Sequence, residues 1–132
     1  MRSIKQIIEG KGPHFNFVEG HSKVIDALTL MKAENTSYVI VLENGKYKGL
    51  MSEHDYAQKV ILSNRHSDQT TVLDVVSNEI PVVSTDSTPE TCLLLMSECK
   101  TGYLPVFEAF DFKGVLTIND LLQEVIQDKQ SH

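Results

Sequence analysis

A hydroxyl and a carboxylate three residues apart occur twice in this chain. They are Ser52-x-x-Asp55 in "GLMSEHDYAQKVI" (49–61) and Thr117-x-x-Asp120 in "GVLTINDLLQEVI" (114–126). Both stretches read as a strand that ends on the hydroxyl and runs straight into a helix. Two kinds of chemistry fit. In a capping box the hydroxyl accepts the N–H of the third helical residue while the side chain three residues on accepts the N–H of the cap. An acid there also suits the positive end of the helix dipole. Alternatively, free N–H groups at the helix start hold a phosphate, and the acid accepts the hydroxyls of a ribose, as it does in dinucleotide folds. The residue types alone leave both open. Beside the first pair stand Lys59 and His54, a cation only when protonated, and Arg65, Ser67 and Thr70 could fold back from a connector. The second acid is followed by "LLQE", which has no cation.

Other reactive side chains lack a chemical context. The five histidines (14, 21, 54, 66, 132) show no metal-ligand spacing such as HExxH and read as surface residues. No serine stands in a G-x-S-x-G elbow, and "EGKG" (9–12) is not a phosphate loop but a loop before the first strand. Catalysis is not expected, nor a required cofactor. Cys92 and Cys99 fall seven apart on one helix face, about two turns, which is too far for a disulfide. They read as buried free thiols of a reducing, cytoplasmic compartment. The net charge of −6 argues against a nucleic-acid footprint and an anionic membrane surface. No run approaches the ~20 apolar residues of a membrane span, and no secretory signal is visible.

What positions the two acids is a repeat. Sliding the chain by 65 residues aligns 17–61 with 82–126 without a gap, so that Gly49 meets Gly114, Tyr38 meets Tyr103 and Lys48 meets Lys113. Each copy reads β-α-β-β-α. "FNFV" and "IPVVS" are short strands. Val24, Ala27, Leu28 and Met31, echoed by Pro89, Cys92, Leu93 and Met96, mark a helix with one apolar face. Ser87 or Thr88 should cap the second of these, with Pro89 in its first turn. "YVIVLE" and "YLPVFE" are strands covered on both faces. "NGK" (44–46) is a hairpin turn, and "EAFD" turns less cleanly. Closing helices are expected over 53–63 and 118–128. "IKQII" (4–8) and "VLDVV" (72–76) look like short helices leading into each copy, with polar residues 63–71 between the copies. The expected fold class is α+β, two β-α-β-β-α units packed sheet to sheet, spanning 1–66 and 67–132.

Gapless duplication, the β-α-β-β-α order and Gly-x-x-(Ser/Thr)-x-x-Asp closing each copy together resemble a tandem pair of cystathionine-β-synthase (CBS) domains over nearly all of residues 1–128. "SEHDYAQKVILSNRHSDQTTVLDVVS" and the Leu-Pro-Val strand of "GYLPVFE" carry the resemblance further. It implies a regulatory module, not an enzyme, that binds an adenosine-type ligand (AMP, ADP, ATP, an NAD-type dinucleotide or S-adenosylmethionine) in a cleft between the units. The output would pass through an effector protein or a homodimer formed by helices apolar on more than one face. The implied ligand contacts are Tyr38, Val39, Ser52, His54, Asp55, Lys59 and Arg65 in the first half, and Tyr103, Leu104, Pro105, Thr117 and Asp120 in the second. The two tyrosines could stack on an adenine or simply pack. The chain departs from the family pattern at His54, Gln58 and Gly102, where basic residues are common, and at Ile40, where the first copy lacks the strand proline. Those departures weaken the expected grip on phosphate. The rival reading is a structural module whose clefts have lost their ligand.

Overall fold

The computed structural model describes residues 1–12 and 15–130, so His14 and His132 lie outside it. In chain order the elements are α1 (Ile4–Gly10), β1 (Phe17–Glu19), α2 (Val24–Glu34), β2 (Tyr38–Glu43), β3 (Lys46–Ser52), α3 (Glu53–Tyr56), β4 (Val83–Ser84), α4 (Pro89–Cys99), β5 (Tyr103–Glu108), β6 (Asp111–Thr117) and α5 (Ile118–Gln130). A π turn, Ala57–Ile61, continues α3, and a 3-10 turn occupies Val72–Asp74. The α+β class and the duplicated β-α-β-β-α order are therefore as expected. Two strands differ: β1 and β4 are shorter than "FNFV" and "IPVVS" suggest.

Both sheets have the same plan. β1 lies parallel to β2, which pairs antiparallel with β3; β4, β5 and β6 repeat this order. The β2–β3 hairpin turns on Asn44 and Gly45, both at positive φ (54° and 78°), as a tight turn between right-twisted strands requires. In the other hairpin Ala109 sits at φ 55°, an unfavourable conformation for alanine. Each antiparallel ladder shifts register at the same place, between Val41 and Leu42 and between Val106 and Phe107, next to Gly49 and Gly114. At Gly49 (φ +151°) an added Cβ would come 2.6 Å from the Ser77 carbonyl oxygen, so only glycine lets residue 77 bridge to Leu50.

One compact unit is Phe15–Glu79, and the remaining described residues form the other. This division differs from 1–66 and 67–132, and the cores explain it. A seven-residue helix is not stable alone, and α1 buries Ile4, Ile7 and Ile8 with Val83, Cys92, Met96, Leu104, Val106, Leu116 and Leu121, all from the second copy. Fully burying each such side chain stabilises by ~1.5–3 kcal/mol. Ser3 and Gln6 supply a capping box for α1. Arg2 holds it to α5 through Glu124, and the Met1 amine through Asp128. The segment expected to lead into the second copy instead closes the first: Val72 and Val75 join Val24, Ala27, Met31, Val39, Val41, Met51 and Val60.

The polar connector is ordered by the same packing. Lys23, the N-cap of α2, gives no side-chain cap, and the helix start is satisfied by backbone from beyond residue 66. Val24 N–H donates to Thr70 O (2.9 Å) and Ile25 N–H to Ser67 O (3.0 Å), while Val72 N–H donates back to Ser22 O (2.8 Å). In α4, by contrast, Thr88 Oγ1 accepts the N–H of Thr91 and Pro89 occupies the first turn, as expected. The cysteines are both free, but only Cys92 is buried, with its thiol pushed up by desolvation; Cys99 is exposed, contrary to the expectation of two buried thiols.

Candidate functional site

β3 and β6 each end on the hydroxyl residue, which becomes the N-cap of the following helix. At the first corner Ser52 Oγ accepts the N–H of Asp55 (3.1 Å), and Asp55 Oδ2 accepts the N–H of Ser52 (2.9 Å) and its hydroxyl (3.0 Å). At the second, Thr117 Oγ1 accepts the N–H of Asp120 (3.1 Å), and Asp120 Oδ2 accepts the N–H of Thr117 (2.9 Å). The first helical amide is used too: Glu53 N–H donates to Ser37 O (3.0 Å) and Ile118 N–H to Gly102 O (2.9 Å). Both corners are complete capping boxes. Amides that a free helix terminus would offer to phosphate are largely satisfied internally, so a phosphate at either corner must be met by side chains.

The cations differ. Lys59, one turn after Asp55, is ion-paired with Asp55 Oδ1 (3.3 Å) and donates to the carbonyls of Val75 (3.3 Å) and Val76 (3.5 Å). Its repeat counterpart is Glu124, a buried carboxylate that accepts from Arg2 N–H (3.1 Å) and Arg2 Nε (2.6 Å). The Arg2 side chain and amide hold the Glu124 carboxyl below its ordinary range. Asp120 takes its cation from Lys11, just after α1, whose Nζ lies 2.7 Å from Asp120 Oδ2 and 2.8 Å from Val115 O. The second acid therefore has a lysine after all, brought from the far end of the sequence.

An ionised carboxylate has about four acceptor positions and a lysine three donors. At the first corner the Ser52 amide and hydroxyl go to Asp55, and Lys59 turns to Asp55 Oδ1 and to the carbonyls of Val75 and Val76. At the second, Asp120 Oδ1, the Thr117 hydroxyl proton and one Lys11 proton have no partner among the described residues. The acid is also more open, 19% exposed for Asp120 against 10% for Asp55, while Lys11 is slightly less open than Lys59.

The sequence model of the CBS domain matches residues 12–61 and again 72–127. The chain belongs to the CBS domain family. It carries two CBS domains in tandem. The mitochondrial CBS domain-containing protein CBSX3 of Arabidopsis thaliana is 29% identical over 80% of this chain, which spans 53% of that protein's length. The CBS domain-containing protein YhcV of Bacillus subtilis is 27% identical over 79% of this chain and 74% of its own. Among solved structures, a CBS-domain chain from Burkholderia ambifaria, provisionally described as a signal-transduction protein, superposes with a TM-score of 0.89 at 28% identity, covering 96% of both chains.

Within the CBS pair the remaining expected residues divide. Tyr38 stands directly across the ladder from Ser52, and Tyr103 from Thr117, so the sheets bring both tyrosines to their corners. Val39 and Leu104 place their side chains in the two cores, and Pro105 is buried. Such residues can serve a ligand only through the main chain. His54 is exposed on the first turn of α3. Arg65 lies 3.6 Å from Asp74, while Ser67 and Thr70 are engaged with the start of α2 and do not join Ser52 and Asp55. No group of three or more His, Cys, Asp or Glu suited to a metal occurs among the described residues. No helix among them is long and apolar enough to cross a membrane.

Sequence reasoning missed Lys11, Arg2 and Glu124. A signal for Glu124 was present, since an acid replaces a lysine in the aligned repeats. Lys11 gave none, because it is 109 residues from its acid.

Proposed function

We propose that this CBS pair is a non-catalytic regulatory module that takes an adenosine nucleotide at the Thr117–Asp120 corner and signals through a partner chain or its own homodimer. The ligand class is that implied by the family resemblance: AMP, ADP, ATP, an NAD-type dinucleotide or S-adenosylmethionine. The observation that carries the choice of corner is the set of unused groups at Thr117, Asp120 and Lys11, two donors and one acceptor beside Tyr103. Asp120 Oδ1 suits a ribose hydroxyl, and Tyr103 offers a ring for the base. A thermal-shift panel of those ligands tests the reading. Micromolar binding corresponds to roughly −8 kcal/mol, and ligand at about 100 times Kd adds ~2.7 kcal/mol to stability. Absence of any shift at millimolar ligand rejects it.

A second reading, a ligand-free dimerisation module, draws on a different observation. Ile118, Leu122 and Ile126 form an exposed stripe along α5, and Leu94 is exposed on α4. Such a stripe suits a second copy of the chain. Light scattering tests the dimer, a concentration-independent mass near 14.8 kDa excluding it, and the thermal-shift panel separates the two readings.

A further inference from the structure

Lys11 follows α1, whose Ile4, Ile7 and Ile8 complete a core with β4–β6 and their helices. Its side chain is 35% exposed, and its ammonium sits between a carboxylate oxygen at 2.7 Å and a carbonyl at 2.8 Å. Those two contacts fix its position and leave one proton without an acceptor among the described residues. Lys59, by comparison, turns toward three protein oxygens. In a chain of net charge −6, an anionic ligand needs a local cation to offset the surrounding field. We propose that Lys11 is the phosphate-recognising residue of the Thr117–Asp120 site, a role that rests on the nucleotide reading of that corner. Asp120 takes a sugar hydroxyl through Oδ1, and the ammonium beside it takes a phosphate oxygen of the same ligand. Because Lys11 is anchored by α1, ligand held by Lys11 also favours the docked state of that helix, through its differential affinity for docked over undocked chain.

Titration of the full chain with adenosine, AMP and ATP tests this, using wild type, Lys11→Met and Lys11→Arg. Loss of a charge-assisted contact should lower AMP and ATP affinity roughly ten- to hundredfold. Adenosine affinity should change by less than about threefold, since no phosphate is present. Lys11→Arg should recover most of the loss. In hydrogen exchange, AMP should protect the amides of Ile7 to Lys11 in wild type but not in Lys11→Met. If that variant folds poorly, Lys11→Gln gives the same readout with a polar side chain retained. Wild type that binds AMP, with a Lys11 variant losing adenosine and AMP equally or losing neither, overturns the role of Lys11 and leaves the nucleotide reading standing. Wild type indifferent to all three ligands, and to ADP and an NAD-type dinucleotide as well, overturns the nucleotide reading and the role of Lys11 together.

Discussion

The Ser52–Asp55 and Thr117–Asp120 corners share backbone path, cap geometry and a tyrosine across the ladder, and each acid is met by a lysine. In the first, the lysine comes from the next helical turn and the hydroxyl donates to its own acid, so the corner satisfies itself. In the second, glutamate replaces that lysine, turns away to Arg2, and the acid is served by Lys11 from another element. Glutamate in place of lysine, and a Thr117 hydroxyl that does not donate to its acid as that of Ser52 does, thus separate a corner whose groups are engaged from one with hydrogen-bonding capacity left over. The cap is common to both and cannot be what distinguishes them.

The largest expected effect tests the dependence of the second unit on the N-terminal helix. Ile4→Ala, which empties a fully buried position, should cost about 2–5 kcal/mol. Val72→Ala in the other unit, removing less, should cost less. Urea denaturation followed by probes in each unit reads both, and equal losses in both units from Ile4→Ala would break the distinction.

Next comes the carboxylate itself. Asp120→Asn should weaken ribonucleotide binding by about 1.5–3 kcal/mol, the worth of a hydrogen bond to a charged group, with less effect on a 2′-deoxynucleotide. Asp55→Asn should leave binding nearly intact and show its cost in the unliganded melting temperature, because Asp55 is buried and paired with Lys59. The opposite assignment of the two effects would move the site to the first corner.

Acid sharpens the contrast at positions 59 and 124. Arg2 holds the Glu124 carboxyl below its ordinary value of 4.5. A carboxyl depressed in the folded state contributes stability that is present above the unfolded value and lost as pH falls through the folded one. The contribution should therefore fade from about pH 4.5 downward, and Glu124→Gln should flatten that acid limb. Thermal melts from pH 7 to pH 3 measure it; an unchanged limb would mean the pair is inert.

The smallest effect concerns left-handed backbone. Asn35 and Asn44 occupy two such positions in the first copy, and Lys100 and Ala109 occupy their counterparts in the second. Asparagine tolerates that conformation better than lysine or alanine. Lys100→Asn and Ala109→Asn should each stabilise by about 0.5–1 kcal/mol, readable as a small rise in melting temperature.

Much of the fold was legible because it is written locally. Alternating turn and apolar signals gave β2 and β5 to the residue, Asn44-Gly45 gave the hairpin, and Pro89 gave the start of α4. The caps at Ser52 and Thr117 were legible as one of two readings. Partnership across the chain was not. The apolar face of "IKQII" says that the helix must be covered but not by which copy, and Lys11 has no local relation to Asp120. Helix periodicity likewise hid that Cys99 faces out, and the repeat gave no sign that residues 57–61 widen into a π turn where the aligned segment stays in α5.

The packing of α1 has a consequence for how the chain is made. Phe15–Glu79 is contiguous, so it can fold as soon as it has been synthesised. α1 is synthesised earlier yet must wait, its three isoleucines uncovered, until β6 and α5 exist. Closing that long loop carries an entropic cost that grows only slowly with length. The waiting interval, more than the final stability, is thus where this chain is exposed to misassembly, and a chaperone that binds short apolar helices would find its substrate there.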